Sequence, residues 1–197
     1  MSLDSVALLV SIEEQFGIEI PDAECETIAT VQQLVEVVYK KINIQPNQKC
    51  ISQLVFYRLR KALEQLGNNR KNITPNTKLS DLLSQTNLAS DWKQLAIALQ
   101  LQIPDLVDLD LDKTLNKEVK FFGFKVFERT EPVAENTLRK FTDWIISMNF
   151  DKLITSKNIS DTYEVERIVC GIIASSTGVP VSEIELHYSL TNDLGID

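Results

Sequence analysis

The chain has 197 residues, of which 44% are hydrophobic, and a formal net charge of −8 at pH 7. This acidity disfavours a nucleic-acid-binding role, because proteins bind phosphate backbones with surplus lysine and arginine. No stretch approaches the roughly 18 consecutive apolar residues of a membrane span.

The sequence also lacks the patterns of a signal peptide, a disulfide framework and a zinc site. The first residues lack the basic-then-apolar layout of a signal peptide, so we expect a soluble, cytoplasmic protein. The three cysteines and the single histidine do not have disulfide or zinc-ligand spacing. We therefore expect reduced thiols and no metal site.

The acidic charge is concentrated at the two ends of the chain. Residues 1–42 and residues 161–197 each carry a net charge of −6, whereas the sequence between them carries +4. This asymmetry indicates that the ends belong together and that the middle is a separate part.

Helical apolar spacing dominates the first part of the chain, and six glycines and six prolines are few enough to favour a mainly α protein. The first predicted helix runs from Leu3 to Phe16 and ends at Gly17. Thr30 is the predicted N-cap of a second helix that reaches Ile42. The polar, proline-containing residues 44–49 form a predicted linker.

The middle of the chain shows further helical periodicity. Helices are predicted over residues 54–66, from Asp91 to Leu101, and from Pro132 to Met148. Residues 72–83 are predicted to be a loop, and the aromatic, β-branched residues 118–127 allow a short strand pair. Trp92 and Trp144 fall on apolar helix faces, so we expect them in the core.

The final part of the chain combines a linker, a helix and a loop. Residues 151–160 form the second predicted linker. A helix face from Val165 to Ile173 then ends near Gly178, and a loop with apolar anchors follows to Asp197.

The two ends together carry a motif that neither end carries alone. When the end of the chain is joined to its beginning without Met1, the result is NDLGID followed by SLDSVALLVSIEEQFGIEIPD. This joined sequence, with the later TVQQLVEVVYKK helix, resembles the acyl carrier protein family, in which Asp-Ser-Leu opens the second helix. Residues 1–42 resemble the second half of a carrier and residues 162–197 resemble its first half.

The resemblance implies a fold and a domain organisation. It implies an acyl-carrier-like four-helix bundle, assembled from residues 1–43 and 161–197 in circularly permuted order. The bundle could close within one chain, or two chains could exchange these segments in a domain-swapped homodimer. The sequence is equally consistent with both.

The resemblance also assigns the site. It implies that Ser2 accepts a covalent 4′-phosphopantetheine arm, with Asp197 before it and Leu3 after it in the joined motif. An anionic phosphodiester at a helix N-terminus is favoured by the helix dipole and by the N–H groups there. Ser5 is the competing attachment residue.

Three further positions are implied to face partner enzymes, namely Val6, Glu13 and Glu14. A negative docking face steers basic partners into transient contact. The implied partners are a phosphopantetheinyl transferase and acyl-transferring synthases. Fatty acid, polyketide and peptide synthesis all remain open. A solvated acidic surface is the simpler interpretation of Glu13 and Glu14.

Residues 50–150 resemble the same family more faintly, through NITPNTKLSDL and IALQLQIPDL. We expect a second, degenerate carrier-like helical domain there, because no Asp-Ser-Leu follows Asp81. Ser84 and Ser90 are alternative attachment residues, but serine is a common helix cap.

The function implied by these features is that of an acyl carrier rather than an enzyme. His187 invites comparison with a Ser-His-Asp hydrolase, but the sequence lacks G-x-S-x-G and a glycine-rich oxyanion turn. An unmodified interaction or regulatory protein that keeps only the carrier fold is the alternative.

Overall fold

The computed structural model describes residues 3–45, 50–121, 124–155 and 158–196. In these residues the protein is mainly α-helical, with nine α-helices and one pair of strands. The helices are α1 Leu3–Phe16, α2 Asp22–Cys25, α3 Val31–Lys41, α4 Ile51–Gln65, α5 Leu88–Leu99, α6 Asp108–Leu111, α7 Leu138–Met148, α8 Phe150–Leu153 and α9 Thr162–Thr177.

The strands are β1 Glu118–Phe121 and β2 Phe124–Glu128, which form an antiparallel hairpin. Glu118 pairs with Glu128 and Phe121 pairs with Phe124, and the register shifts after Val119. The strand pair that the sequence allowed is therefore present.

Contacts divide the chain into two compact units. The first unit contains the described residues of Met1–Ile51 and Ile146–Asp197, and the second unit is Ser52–Ile145. Over these ranges the sequence places sixteen acidic and six basic residues in the first unit, against twelve and fourteen in the second. The acidic character of the protein therefore belongs to the first unit.

In the first unit, α1 and α3 pack against α9. The core follows from residues spaced three or four apart, which place their side chains on one side of each helix. The buried apolar residues of α1 and α3 are Leu8, Ile12, Phe16, Val31, Leu34, Val35, Val37 and Val38.

The start of α3 pairs with the loop that follows α9. Thr30 forms an isolated antiparallel bridge with Ser189. Three backbone hydrogen bonds extend this pairing: Val31 N–H to Tyr188 O, Leu190 N–H to Ala29 O, and Gln32 N–H to Leu186 O. Residues from opposite parts of the sequence are therefore joined in one backbone network.

A second side of α9 packs closely against the segment that includes α8. A Cβ atom at Gly171 would overlap the backbone oxygen of Ser147 and the ring of Phe150. Because glycine has no side chain, α9 can lie directly against the segment that includes α8. The segment also contributes the buried residue Ile154.

The second unit is built around α4, α5 and α7. Its largest fully buried side chains include Leu59, Leu63, Leu95 and Phe141. Trp92 is buried, lies edge-on to Phe141 with ring centroids 5.4 Å apart, and donates its indole N–H to Pro104 O.

One buried carboxylate organises the backbone of this unit. Asp110 is 2% exposed, and its oxygens accept N–H bonds from Val107, Val133 and Ala134 at 2.9–3.0 Å. A buried charge is tolerated only when it is well hydrogen-bonded. These bonds fix residues 133–134 as irregular backbone, so the helix predicted from Pro132 begins only at Leu138.

The second unit repeats the backbone pairing of the first. Lys78 forms an isolated antiparallel bridge with Thr137, the residue before α7. Three hydrogen bonds match those of the first unit one for one: Leu138 N–H to Thr77 O, Leu79 N–H to Asn136 O, and Arg139 N–H to Pro75 O. The loops 75–79 and 186–190 are thus equivalent, as are the starts of α7 and α3.

The helix that ends before each Ile-Pro-Asp sequence is also equivalent. α1 leads through Gly17, with φ of +64°, to Ile20-Pro21-Asp22, and α5 leads through Gln100, with φ of +52°, to Ile103-Pro104-Asp105. In the second unit the loop 75–79 precedes its central helix in sequence, whereas in the first unit the loop lies at the far end of the chain. The β1–β2 hairpin lies between α6 and α7 of the second unit.

Two boundaries differ from the sequence expectations. α5 begins at Leu88 rather than Asp91, and the predicted linker 151–160 overlaps α8 and contains the buried residues Ile154 and Ile159. Gln45, in the other predicted linker, donates its N–H to Ile159 O. Short-range composition does not reveal such long-range packing.

Candidate functional site

The two residues at the centre of the predicted motif, Ser2 and Asp197, lie outside the described residues. The neighbouring backbone is described from Leu3, where α1 begins, and up to Ile196. The surroundings of the site are therefore given by α1, by the loop after it, and by the loop after α9.

α1 separates buried from exposed residues along its length. Leu8 and Ile12 face the core, whereas Val6 and Val10 are 43% and 44% exposed. Glu14 continues the same side of the helix one turn later and is exposed. Val6 and Glu14, both predicted to face partners, thus lie on one accessible surface.

Glu13 lies beside this surface but has an internal role. Its Oε1 accepts the N–H of Ile20 at 2.6 Å, and its backbone oxygen accepts the N–H of Ile18 at 3.1 Å. Gly17 adopts a φ of +64° in the intervening turn, which glycine does readily. Glu13 therefore fastens the loop after α1, a contact that the sequence analysis did not anticipate.

The adjoining loop carries a half-buried thiol. The Cys25 Sγ–H donates to Ile20 O at 3.4 Å. Burial, followed by the negative charges of Asp22 and Glu13, raises the pKa of the Cys25 thiol. A raised pKa lowers the thiolate fraction at neutral pH, so this thiol is a poor nucleophile.

The loop after α9 is fastened by its own polar residues. The Asp193 carboxylate accepts the N–H of Ser189 at 2.8 Å, and Ser189 Oγ accepts the N–H of Asn192 at 3.1 Å. Ile196 is buried and donates its N–H to Leu190 O at 2.9 Å. These hydrogen bonds fix the backbone up to the last described residue.

The described contact of His187 is with a neighbouring aromatic ring. His187 is exposed, and its ring lies 4.8 Å from that of Tyr188. In the part of the chain that the structure describes, no group of three or more histidine, cysteine, aspartate or glutamate side chains could hold a metal ion. Nor do the described helices include one that is long and apolar enough to cross a membrane.

The alternative serines of the second unit are local hydrogen-bonding residues. Ser84 Oγ lies 2.8 Å from Thr86 Oγ1, and Ser90 Oγ accepts the side-chain N–H of Gln94 at 3.3 Å. Both serines are exposed near the start of α5. Their contacts are those of ordinary helix-start residues.

Comparison with known proteins shows a similarity in the first part of the chain. Residues 2–38 match the family model described as "Phosphopantetheine attachment site". The acyl carrier protein of Thermosynechococcus vestitus (strain NIES-2133 / IAM M-273 / BP-1) is 49% identical over 41 residues, which cover 21% of this chain and 51% of that protein. No solved structure matches the chain significantly.

The chain covers about half the length of this curated relative. The family match falls on a segment that contains α1, α2 and most of α3. Both matches support a carrier role for this chain, with 4′-phosphopantetheine as its covalent prosthetic group.

Proposed function

We propose that the protein is an acyl carrier in which Ser2 is the attachment residue for 4′-phosphopantetheine. The match to a phosphopantetheine attachment site, which begins at Ser2, is the observation that carries the proposal. When bound, the terminal thiol of the group holds acyl chains as thioesters. The protein supplies attachment and presentation, and partner enzymes perform the bond chemistry.

The described residues fit such a group. α1 begins at Leu3, so its first turn offers backbone N–H groups and the positive end of the helix dipole to a phosphodiester on the preceding residue. The exposed side of α1, with Val6 and Val10, leaves an accessible surface along the same helix. Glu13 and Gly17 hold the following loop in place.

In this proposal the first unit is a carrier bundle in permuted order. Its four helices are α9, α1, α2 and α3, with α9 supplied by the end of the chain. The pairing of Thr30 with Ser189 and the burial of Ile196 support this assembly, because they bring residues 186–196 into the unit that contains α1. Asp197 would then contribute to the motif beside Ser2.

The second unit is a carrier-like bundle in the ordinary order, formed by α4, α5, α6 and α7. The one-for-one match of its backbone bonds to those of the first unit supports this interpretation. Its α5 begins Leu-Ala-Ser-Asp, without the Asp-Ser-Leu motif. We infer that this unit carries no arm and is an inserted, degenerate copy.

The partners follow from the carrier role. A phosphopantetheinyl transferase would load Ser2, and acyl-transferring synthases would read Val6 and Glu14 on α1. The first unit has ten more acidic than basic residues, and this charge supports steering of basic partners.

Intact-protein mass spectrometry tests the proposal. The chain is incubated with coenzyme A and a broad-specificity transferase beside a control carrier. We expect a mass gain of one phosphopantetheine group, which Ser2→Ala abolishes and Ser5→Ala preserves. If the control is loaded and this chain is not, the carrier proposal fails and the unmodified interaction protein replaces it.

A further inference from the structure

The outer side of α4 in the second unit is an uncovered surface of mixed apolar and basic character. Leu54 and Tyr57 are 47% and 49% exposed. Arg58 and Lys61 complete the same side, because the four residues are three or four positions apart. We call Leu54, Tyr57, Arg58 and Lys61 the α4 stripe.

In the first unit, the helix that corresponds to α4 has neighbouring residues on the side that α4 leaves exposed. By the shared backbone pairing, α9 corresponds to α4. α9 buries one side against α1 and α3, and Cys170 and Gly171 are buried as well, with Gly171 against Ser147 and Phe150. α4 buries only Val55, Phe56, Leu59, Ala62 and Leu63.

The α4 stripe combines a tyrosine that its neighbours hold in place with two cations that are available for contact. Tyr57 is held by Gln53, which donates to its hydroxyl at 3.3 Å, and by the Arg60 guanidinium, 5.4 Å from its ring centre. Arg58 and Lys61 form no ion pair with the residues that the structure describes. A fixed aromatic ring flanked by available cations suits an acidic, apolar partner.

The exposed side of α1 has the complementary chemistry. It presents Val6, Val10 and Glu14, which we call the α1 stripe, within the acidic unit. Glu14 forms no ion pair in the described part of the chain. Each stripe is one face of a helix, two or three turns long, in which apolar residues precede charged ones. The charge is positive in the α4 stripe and negative in the α1 stripe.

We propose that the α4 stripe of one molecule docks the α1 stripe of a second copy of this chain. The proposal rests on the proposed function, since it makes α1 the face by which the carrier is read. The second unit would then be a module that receives a carrier unit in trans. Leu54 and Tyr57 would pack on Val6 and Val10, and Lys61 and Arg58 would pair with Glu14.

Sedimentation equilibrium of the full chain over a range of concentrations tests this proposal. We expect reversible self-association that weakens as salt is raised, because part of the attraction is between exposed charges. Lys61→Glu should raise the dissociation constant roughly tenfold, since it places like charges in contact. Glu14→Lys should have a similar effect.

The double variant with Glu14→Lys and Lys61→Glu exchanges the two charges and should associate more tightly than either single variant. Lys93→Glu and Glu26→Lys are the matched controls, because both side chains are exposed and belong to neither stripe. Leu54→Ser should weaken association without altering its dependence on salt.

A chain that stays monomeric at every concentration overturns the proposal, as does association that the stripe variants leave unchanged. A monomer that instead binds a separate acidic protein also overturns it. The Ser2→Ala chain should associate like the wild type, so the result does not depend on attachment of the arm. Loading at Ser2 in a monomeric chain would refute docking and leave the carrier function standing.

Discussion

The adjacent residues Glu13 and Glu14 of α1 have different structural environments. Glu13 points into the fold and accepts the N–H of Ile20 at 2.6 Å, whereas Glu14 is exposed and unpaired in the described residues. The sequence analysis grouped them as partner-facing residues. The structure indicates that Glu13 positions the loop after α1, and its role toward a partner stays a prediction.

Glu13→Ala should lower the free energy of unfolding by about 1–2 kcal/mol, because a partly buried N–H loses a charged acceptor. Urea denaturation followed by far-UV circular dichroism measures the change. Glu14→Ala is the matched control, with the same change of helix propensity and no lost hydrogen bond. Equal stability of the two variants would contradict the role assigned to Glu13.

Gly171 is a second residue whose identity is dictated by its surroundings. Alanine normally stabilises a helix interior relative to glycine, by up to about 1 kcal/mol. Here the new Cβ would overlap Ser147 O and the Phe150 ring. We expect Gly171→Ala to destabilise the protein by roughly 1–3 kcal/mol, as overpacking does.

Thermal unfolding of Gly171→Ala should therefore show a lower midpoint than the wild type. Ser176→Ala, at an exposed position of the same helix, should leave the midpoint close to its original value. A stabilised Gly171→Ala variant would mean that α9 does not lie against residues 147–150.

At the scale of elements, Asp110 joins two segments that flank the β1–β2 hairpin. It lies at the end of α6 and accepts backbone N–H bonds from residues 133 and 134, ahead of α7. Because the Asp110 hydrogen bonds join the segments before and after the hairpin, we expect changes in the hairpin sequence to leave the start of α7 in place.

Asp110→Asn should destabilise the second unit by about 2–3 kcal/mol, because the amide carries two donors and cannot accept all three N–H groups. Tryptophan fluorescence reports this directly, since Trp92 and Trp144 both lie in the second unit. The exposed neighbour Asp108 provides the control, Asp108→Asn. Coincident unfolding curves for both variants would refute the role of Asp110.

At the scale of the whole molecule, the segment that matches the attachment family does not contain all of its own packing partners. Residues 2–38 contain α1 and α2, but the helix against which α1 and α3 pack is α9. The loop paired with the start of α3 is also distant in sequence. The packing of α1 and α3 therefore depends on residues 158–196.

Removal of residues 184–197 should abolish loading of Ser2, although every residue of the family match is retained. The deletion removes the pairing with Thr30 and the buried residues Leu194 and Ile196. The mass gain after incubation with the transferase is the readout, and Asn192→Ala in the full chain should load normally. Full loading of the shortened chain would show that the first unit does not need these residues.

Sequence patterns were most informative where local periodicity decides the structure. The helix that begins after Thr30, its Thr30 cap and the burial of both tryptophans were predicted correctly. The predicted start of α7 was wrong, because Asp110, which is distant in sequence, accepts the backbone N–H groups of Val133 and Ala134. The internal bond of Glu13 was missed for the same reason, since helical spacing cannot distinguish a solvated carboxylate from one that binds the next loop.

The order of segments along the chain has a consequence for folding during synthesis. Residues 3–45 leave the ribosome first, but α9 and its loop follow only after the whole second unit. At cellular elongation rates this delay is on the order of 10 s. Meanwhile the apolar sides of α1 and α3 have no native partner, whereas the second unit can complete its own contacts at once. We therefore expect the apolar sides of α1 and α3 to stay exposed until α9 and its loop have been synthesised.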